Sequence, residues 1–244
     1  MKDPVLILGA RSDIGRAIAR AFAAHGHPVQ LAARDSASLE ADRVDMEVRH
    51  RVPVTLHDYD ALDLDGLGAF LDGLPALPGV AVCAVGLMGT QGESERDAGA
   101  AARVIRSNFE GPAMALAELA NRFEARGSGV LVGISSVAGE RGRASNYAYG
   151  AAKAGFTAYL SGLRNRLAKK GVHVVTVLPG FVATRMTEGM DLPARLTARP
   201  EEVAEAVVRA VERKRDVIYV RPVWRAVMGV IKSLPEPVFK RTKL

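Results

Sequence analysis

The chain has 244 residues, 48% of them hydrophobic and 25% charged, with a single cysteine. That suits one large α/β domain or two small ones and excludes a disulfide framework or a cysteine-based zinc site, so no metal is expected. The net charge of +6 raises nucleic acid, an anionic membrane or an anionic ligand as partners, but aromatic residues make up only 5%, too few for a stacking surface, and nucleic acid is set aside.

Apolar runs of strand length alternate with amphipathic segments along the chain, the pattern of βα repetition around a parallel sheet. The first strand, 4–8, feeds Gly9-Ala10-Arg11-Ser12-Asp13-Ile14-Gly15, and helical spacing follows over 14–25. The charged residues around this short apolar run argue against a signal peptide. A glycine-bearing turn at a helix N-terminus lets backbone N–H groups approach a pyrophosphate. Gly9, Arg11, Ser12, Ile14 and Gly15 are therefore candidate cofactor contacts, with a plain tight turn as the alternative.

The second strand, 28–33, ends at Arg34. An acidic residue there would suit an adenosine ribose, whereas a guanidinium neutralises a 2′-phosphate. Arg34, together with Arg11, favours NADP(H), with NAD(H) as the alternative cofactor and a solvated helix-start residue as the plain reading of Arg34. A helix is predicted over 36–49. The third strand, 52–57, ends among Asp58, Tyr59, Asp60 and Asp63, of which Asp60 is preferred for an adenine amino group. Helix 66–72, strand 80–84 and helix 98–125 follow.

Strand 129–134 leads into Ser135-Ser136, and thirteen residues beyond Ser136 comes Tyr149, with Lys153 one helical turn further on a helix predicted over 147–170. Residues at i and i+4 share a helix face, so the ammonium can sit beside the phenol and favour its ionised form. Ser136, at the strand end, can hydrogen-bond a substrate oxygen. Strand 172–178, a helix over 200–214 opening on Pro200-Glu201-Glu202, and strand 217–220 complete the sequence of elements. No linker, repeat or run of about 18 apolar residues interrupts it, so a spanning helix is not expected. The fold expected is α/β, a Rossmann-like doubly wound parallel sheet of about seven strands, over residues 1–220.

With these residues in place the chain resembles the short-chain dehydrogenases/reductases over residues 4–220. The family's Gly-x-x-x-Gly-x-Gly corresponds to Gly9 through Gly15, its catalytic serine to Ser136, and its Tyr-x-x-x-Lys to Tyr149 and Lys153. The resemblance further implies that Asn108 supports a proton relay and that Pro179, Gly180, Val182 and Thr184 contact the nicotinamide. It also implies that about 182–199 covers the substrate and that the enzyme is a homodimer or homotetramer. Two positions depart from the pattern. Asp13 replaces the middle glycine, where it is read as a helix cap, and Cys83-Ala84-Val85-Gly86 replaces Asn-Asn-Ala-Gly. Gly86 keeps the close backbone approach, and Cys83 is read as a small core residue.

The charge is concentrated in residues 221–244, where Arg221, Arg225, Lys232, Lys240, Arg241 and Lys243 face Glu236 alone. Trp224, Val227, Met228, Ile231 and Leu234 recur there at helical spacing. The tail therefore reads as an amphipathic extension: an interfacial helix making peripheral membrane contact through 222–241, or a helix docked on the body or on another subunit. The Asp-Ile-Gly turn and this tail are similar to those of a subgroup that acts on lipid-linked keto-sugars or other keto-lipids. The function expected is NADP(H)-dependent hydride transfer on a small-molecule or lipid-linked carbonyl or secondary alcohol, in the cytoplasm or at the inner face of the membrane. A non-catalytic NADP(H)-binding scaffold or redox sensor and a soluble acyl or polyol reductase remain as alternatives.

Overall fold

A computed structural model of the protein describes residues 2–242, so Lys243 of the basic tail lies outside the described residues. The first half runs β1 (Val5–Leu8), α1 (Asp13–Ala24), β2 (Val29–Ala33), α2 (Glu40–His50), β3 (Val54–Asp58), α3 (Leu67–Asp72), β4 (Val80–Cys83), α4 (Gln91–Arg96), α5 (Ala98–Ile105) and α6 (Gly111–Arg126). The second half runs β5 (Gly129–Ile134), α7 (Tyr147–Leu167), β6 (Val172–Pro179), β7 (Phe181–Val182), β8 (Thr197–Ala198), α8 (Pro200–Glu212), β9 (Val217–Val220), α9 (Val223–Ser233) and α10 (Glu236–Phe239).

Seven strands form one sheet in the order β3-β2-β1-β4-β5-β6-β9, and every pairing is parallel. The continuous apolar runs follow from this arrangement, because each face of the sheet carries helices. Successive side chains of a strand point to opposite faces. Val5 and Ile7 accordingly join Ile18, Phe22, Val203 and Val207 on one side, while Leu6 and Leu8 join Leu116, Phe123, Phe156 and Leu160 on the other. The strand order reverses between β1 and β4, which opens a crevice beyond the carboxyl ends of the strands.

The single helix predicted over 98–125 is broken by a π-helical turn at Arg106–Glu110. Pro112 has no N–H to give the carbonyl four residues back, that of Asn108, so regular α-helix cannot continue through this point. Helix α4 was not anticipated because none of its residues is buried and no apolar period marks it; Thr90 caps it by accepting from the Glu93 N–H at 3.2 Å. Among the described residues no helix is long and apolar enough to cross a membrane.

The tail helix α9 docks on the body. Trp224, Met228 and Ile231 pack with Val137 and Leu178, and Arg141 closes the helix end by donating to the carbonyls of Ile231, Lys232 and Leu234. Trp224 is 3% exposed, its place being on the body, one of the alternatives open for the tail. Gly180 explains the fit: a Cβ there would lie 1.9 Å from the Trp224 ring, and the missing side chain makes the socket that receives it.

Candidate active site

The carboxyl ends of the central strands open into a cavity of about 1010 Å³. At its centre the chain leaves β1 through Gly9, whose φ of +84° is reached without strain by glycine. A Cβ on Gly9 would lie 2.8 Å from the Val85 nitrogen. Ser12, not Asp13, caps α1: its Oγ accepts from the Gly15 N–H at 3.0 Å and donates to the Gly9 carbonyl at 2.8 Å. Gly15 does not line the cavity; it packs under the turn, where a Cβ would lie 2.6 Å from the Gly9 carbonyl.

Asp13 lines the cavity together with Arg185, and its carboxylate is held by that residue. It accepts from the Arg185 backbone N–H at 2.8 Å and from Arg185 Nε at 3.0 Å. The cap expected at Asp13 thus moves one residue back, because only the Ser12 side chain reaches the Gly15 N–H. The departure from the glycine pattern is explained by a partner beyond β7.

Arg11 and Arg34 both line the cavity at the β2 end. Arg11 donates to the Arg34 carbonyl at 3.1 Å and lies 3.7 Å from the Asp35 carboxylate, while the Arg34 side chain is exposed. Asp60 is not brought to the cavity; its carboxylate accepts from the Leu62 N–H at 3.0 Å. Asp58, two residues earlier, accepts from the Ser36 N–H at 2.8 Å, which holds its carboxyl below the usual range and fixes the loop after β2. Tyr59 lines the wall between them.

Ser136, Tyr149 and Lys153 converge in the middle of the cavity. Ser136 ends β5 in extended conformation and accepts from the Ala138 N–H at 3.1 Å, so its own hydrogen remains to be donated. Lys153 is 3% exposed, and its ammonium donates to the Ile134 carbonyl at 3.0 Å. Burial brings it down to about 8. The Tyr149 phenol is pushed by burial up to about 12, with Ser136 pulling the other way. Lys153 Nζ stands 5.7 Å from the Tyr149 ring centre, and with desolvation the larger influence this phenol is a proton donor at neutral pH.

Asn108 is fully buried behind the cavity. Its amide donates to the Leu87 carbonyl at 2.5 Å and the Val104 carbonyl at 2.8 Å, and its Oδ1 accepts from the Leu87 N–H at 3.3 Å. Gly86 leaves the room for this, since a Cβ there would lie 3.1 Å from Asn108 Oδ1 and 3.7 Å from Lys153 Nζ. Cys83 is buried and its thiol is pushed to about 11, so it stays protonated.

Pro179, Gly180, Val182 and Thr184 line the side opposite Arg34, followed by Met186 and Met190. The covering segment folds back on itself, with β7 pairing to β8 in parallel. Several lining residues had no signal pointing to a site. Arg143 and Trp224 close the far end, and Met88 and Gln91 enter from the unanticipated α4 region.

A family profile described as short chain dehydrogenase matches residues 3–193. An uncharacterized oxidoreductase of Mycobacterium tuberculosis is 38% identical over 241 residues, 98% of this chain and 96% of the relative. The cis-4-hydroxycyclohexanecarboxylate dehydrogenase of Sinomonas cyclohexanicum is 31% identical over 216 residues, 83% of this chain and 86% of the relative. Among solved structures, a short-chain dehydrogenase from Sphingobium yanoikuyae in complex with NADPH aligns with a TM-score of 0.81 at 26% identity, covering 96% of this chain and 97% of the other.

Proposed function

The chain belongs to the short-chain dehydrogenase family and is an oxidoreductase, and on that premise we propose that it uses NADP(H) to interconvert a ketone and a secondary alcohol at Ser136 and Tyr149. The observation that carries this reading is the state of Lys153. An ammonium with three donors, 3% exposed and bonded among the described residues to Ile134 alone, is held at a cost unless something in the cavity accepts from it. The hydroxyls of a cofactor ribose are such acceptors.

The residues fit the cofactor along the whole cavity. The Ser12-capped N-terminus of α1 offers backbone N–H groups and the positive end of a helix dipole to a pyrophosphate. The exposed guanidinium of Arg34 supports a 2′-phosphate, as does the NADPH bound by the Sphingobium yanoikuyae relative. When bound, the nicotinamide supplies or accepts the hydride.

Everything else falls to the chain. Ser136 donates its hydroxyl hydrogen to the substrate oxygen and holds it beside the phenol. Tyr149, kept protonated by its surroundings, gives its proton to that oxygen in reduction and takes one back in oxidation. Lys153 anchors the ribose, and its charge beside the phenol stabilises the phenolate formed after transfer. Asn108 positions rather than reacts: its side chain ties Leu87 to the helix, and Pro112 leaves its main-chain carbonyl without the usual helical donor, suited to hold a relay water.

At the substrate end Met88, Phe181, Met186, Met190 and Trp224 surround the cavity, which favours a substrate with an apolar body. A panel of cyclic and long-chain ketones followed by NADPH absorbance tests the reading. Turnover of at least one member, abolished in Tyr149→Phe, is the expected result; undiminished turnover in that variant contradicts it.

A further inference from the structure

The cavity carries cations at both ends, and only one end is accounted for by the dinucleotide. Arg11 and Arg34 stand beyond β1 and β2; Arg143 lines the other end, beside the helix that follows β9. Arg143 lies in the segment between β5 and α7, and from β2 to β5 the sheet steps across three strand spacings, about 14 Å at the usual distance between strands. The pyrophosphate and 2′-phosphate therefore leave Arg143 unserved.

Arg143 is half-buried and poorly satisfied where it stands. Its Nε is buried with no hydrogen-bond partner, and Nη2 reaches only the Met228 sulfur, at 3.3 Å, a weak acceptor. Among the described residues it makes no ion pair. Glu140, the carboxylate whose field reaches it, gives Oε1 to Lys232 and to the Tyr219 hydroxyl at 2.9 Å; its Oε2, buried without a hydrogen-bond partner, forms no ion pair with Arg143 among the described residues. Its neighbour in sequence behaves differently: Arg141 is spent on the α9 carbonyls, on Glu236 and on the Phe239 ring. Two arginines separated by one glycine thus have opposite fates, one structural and one turned to the cavity.

We infer that Arg143 binds an anionic group on the substrate, so that the enzyme selects keto or hydroxy compounds in which an apolar body carries a carboxylate or a phosphate. A guanidinium removed from water gains most from a planar or multidentate oxyanion, and the apolar wall of Trp224 and Met190 receives the body between that anion and Ser136. The inference rests on the reading that this cavity is the reaction site.

Trp224 is the sole tryptophan and lines the cavity, so its fluorescence reports binding without turnover. Full-length protein saturated with NADP⁺ is titrated with cyclohexanecarboxylate, cyclohexyl phosphate and neutral cyclohexanecarboxamide. The expected result is that at least one anion binds tenfold or more tighter than the amide, which of the two revealing the source, and that the advantage falls below twofold in Arg143→Met. Arg143→Lys, which keeps the charge but not the fork, retains part of it. Equal binding of anions and amide in the unmodified protein overturns the inference, as does an advantage that survives Arg143→Met. If Arg143→Met does not fold, Arg143→Gln carries the same comparison. An anion advantage without reduction of any ketone sustains the anion site and defeats the reductase reading; ketone reduction without an anion advantage does the reverse.

Discussion

Asp13 and Arg185 are 172 residues apart in sequence and meet through two hydrogen bonds, the Arg185 backbone N–H to one carboxylate oxygen at 2.8 Å and its Nε to the other at 3.0 Å. Arg185 also donates to the Arg11 carbonyl at 2.5 Å. The turn that would cradle the pyrophosphate and the segment after β7 are thereby fastened to each other. An acidic residue in place of a glycine at this position is a tether, and its charge is paired with the Arg185 guanidinium.

Removing the tether therefore acts on release more than on stability. The Arg185 side chain is 61% exposed, and an exposed pair contributes about 0 to 1 kcal/mol. In Asp13→Ala the melting temperature stays close to that of the unmodified protein, while stopped-flow displacement shows NADP⁺ leaving severalfold faster. An unchanged release rate would mean that the covering segment does not depend on Asp13.

On the proposed reading Arg34 sets the choice of cofactor. Replacing it with Asp places a carboxylate where the 2′-phosphate is expected and offers the ribose hydroxyls of NAD an acceptor. The ratio of kcat/KM for NADPH over NADH falls by at least a hundredfold in Arg34→Asp, equivalent to about 3 kcal/mol.

Lys153 makes cofactor binding depend on pH, with a defined sign. Its ammonium gives up its proton near 8 in the folded protein, against about 10.4 in an unfolded chain. Above about 8 the protein must regain a proton to present a cation to the ribose, so the NADP⁺ dissociation constant rises by up to tenfold per pH unit. The profile of Lys153→Met is flat across the same window. The linkage to folding runs the other way: between about 8 and 10.4 the unfolded chain holds the extra proton, so stability gains a positive slope with pH from this residue.

Trp224 is a wall of the cavity as well as the centre of the tail's contact. Its ring meets Phe181 edge-on at 5.2 Å, and its Nε1 donates to the Leu196 carbonyl at 3.0 Å. Trp224→Ala lowers stability by about 3 to 5 kcal/mol, as for other large-to-small core changes, and raises KM for ketones more than for NADPH. Urea unfolding and steady-state kinetics check both parts.

The sheet was legible because its strands are buried on both faces: Val5–Leu8 and Val80–Cys83 read as unbroken small and apolar runs. Tyr149, Lys153 and Ser136 were legible because a strand end and one helical turn fix where they meet. Other features are ambiguous for reasons that lie in the residues. Ser12 and Asp13 are both good caps, and which one serves depends on the reach to Gly15. Trp224, Met228 and Ile231 have the same spacing whether they face lipid or protein, and the socket that decides it is the absent side chain of Gly180, more than forty residues away. Asp60 was one of several carboxylates after β3, and local sequence does not say which turns inward; Asp58 is drawn to the Ser36 N–H and Tyr59 takes the wall. Arg143 looks like any loop arginine until its Nε is seen to be buried without a hydrogen-bond partner at the cavity wall.

The central claim is that Tyr149 transfers the proton to the substrate oxygen in a cavity that already holds the cofactor through other groups. Tyr149→Phe removes one hydroxyl and leaves the ring, so single-turnover reduction of a ketone substrate and NADPH affinity can be measured on the same protein. The account predicts a loss of reduction rate on the order of 10³-fold with the NADPH dissociation constant unchanged within about twofold; a phenylalanine variant that reduces the ketone at the unmodified rate would contradict it.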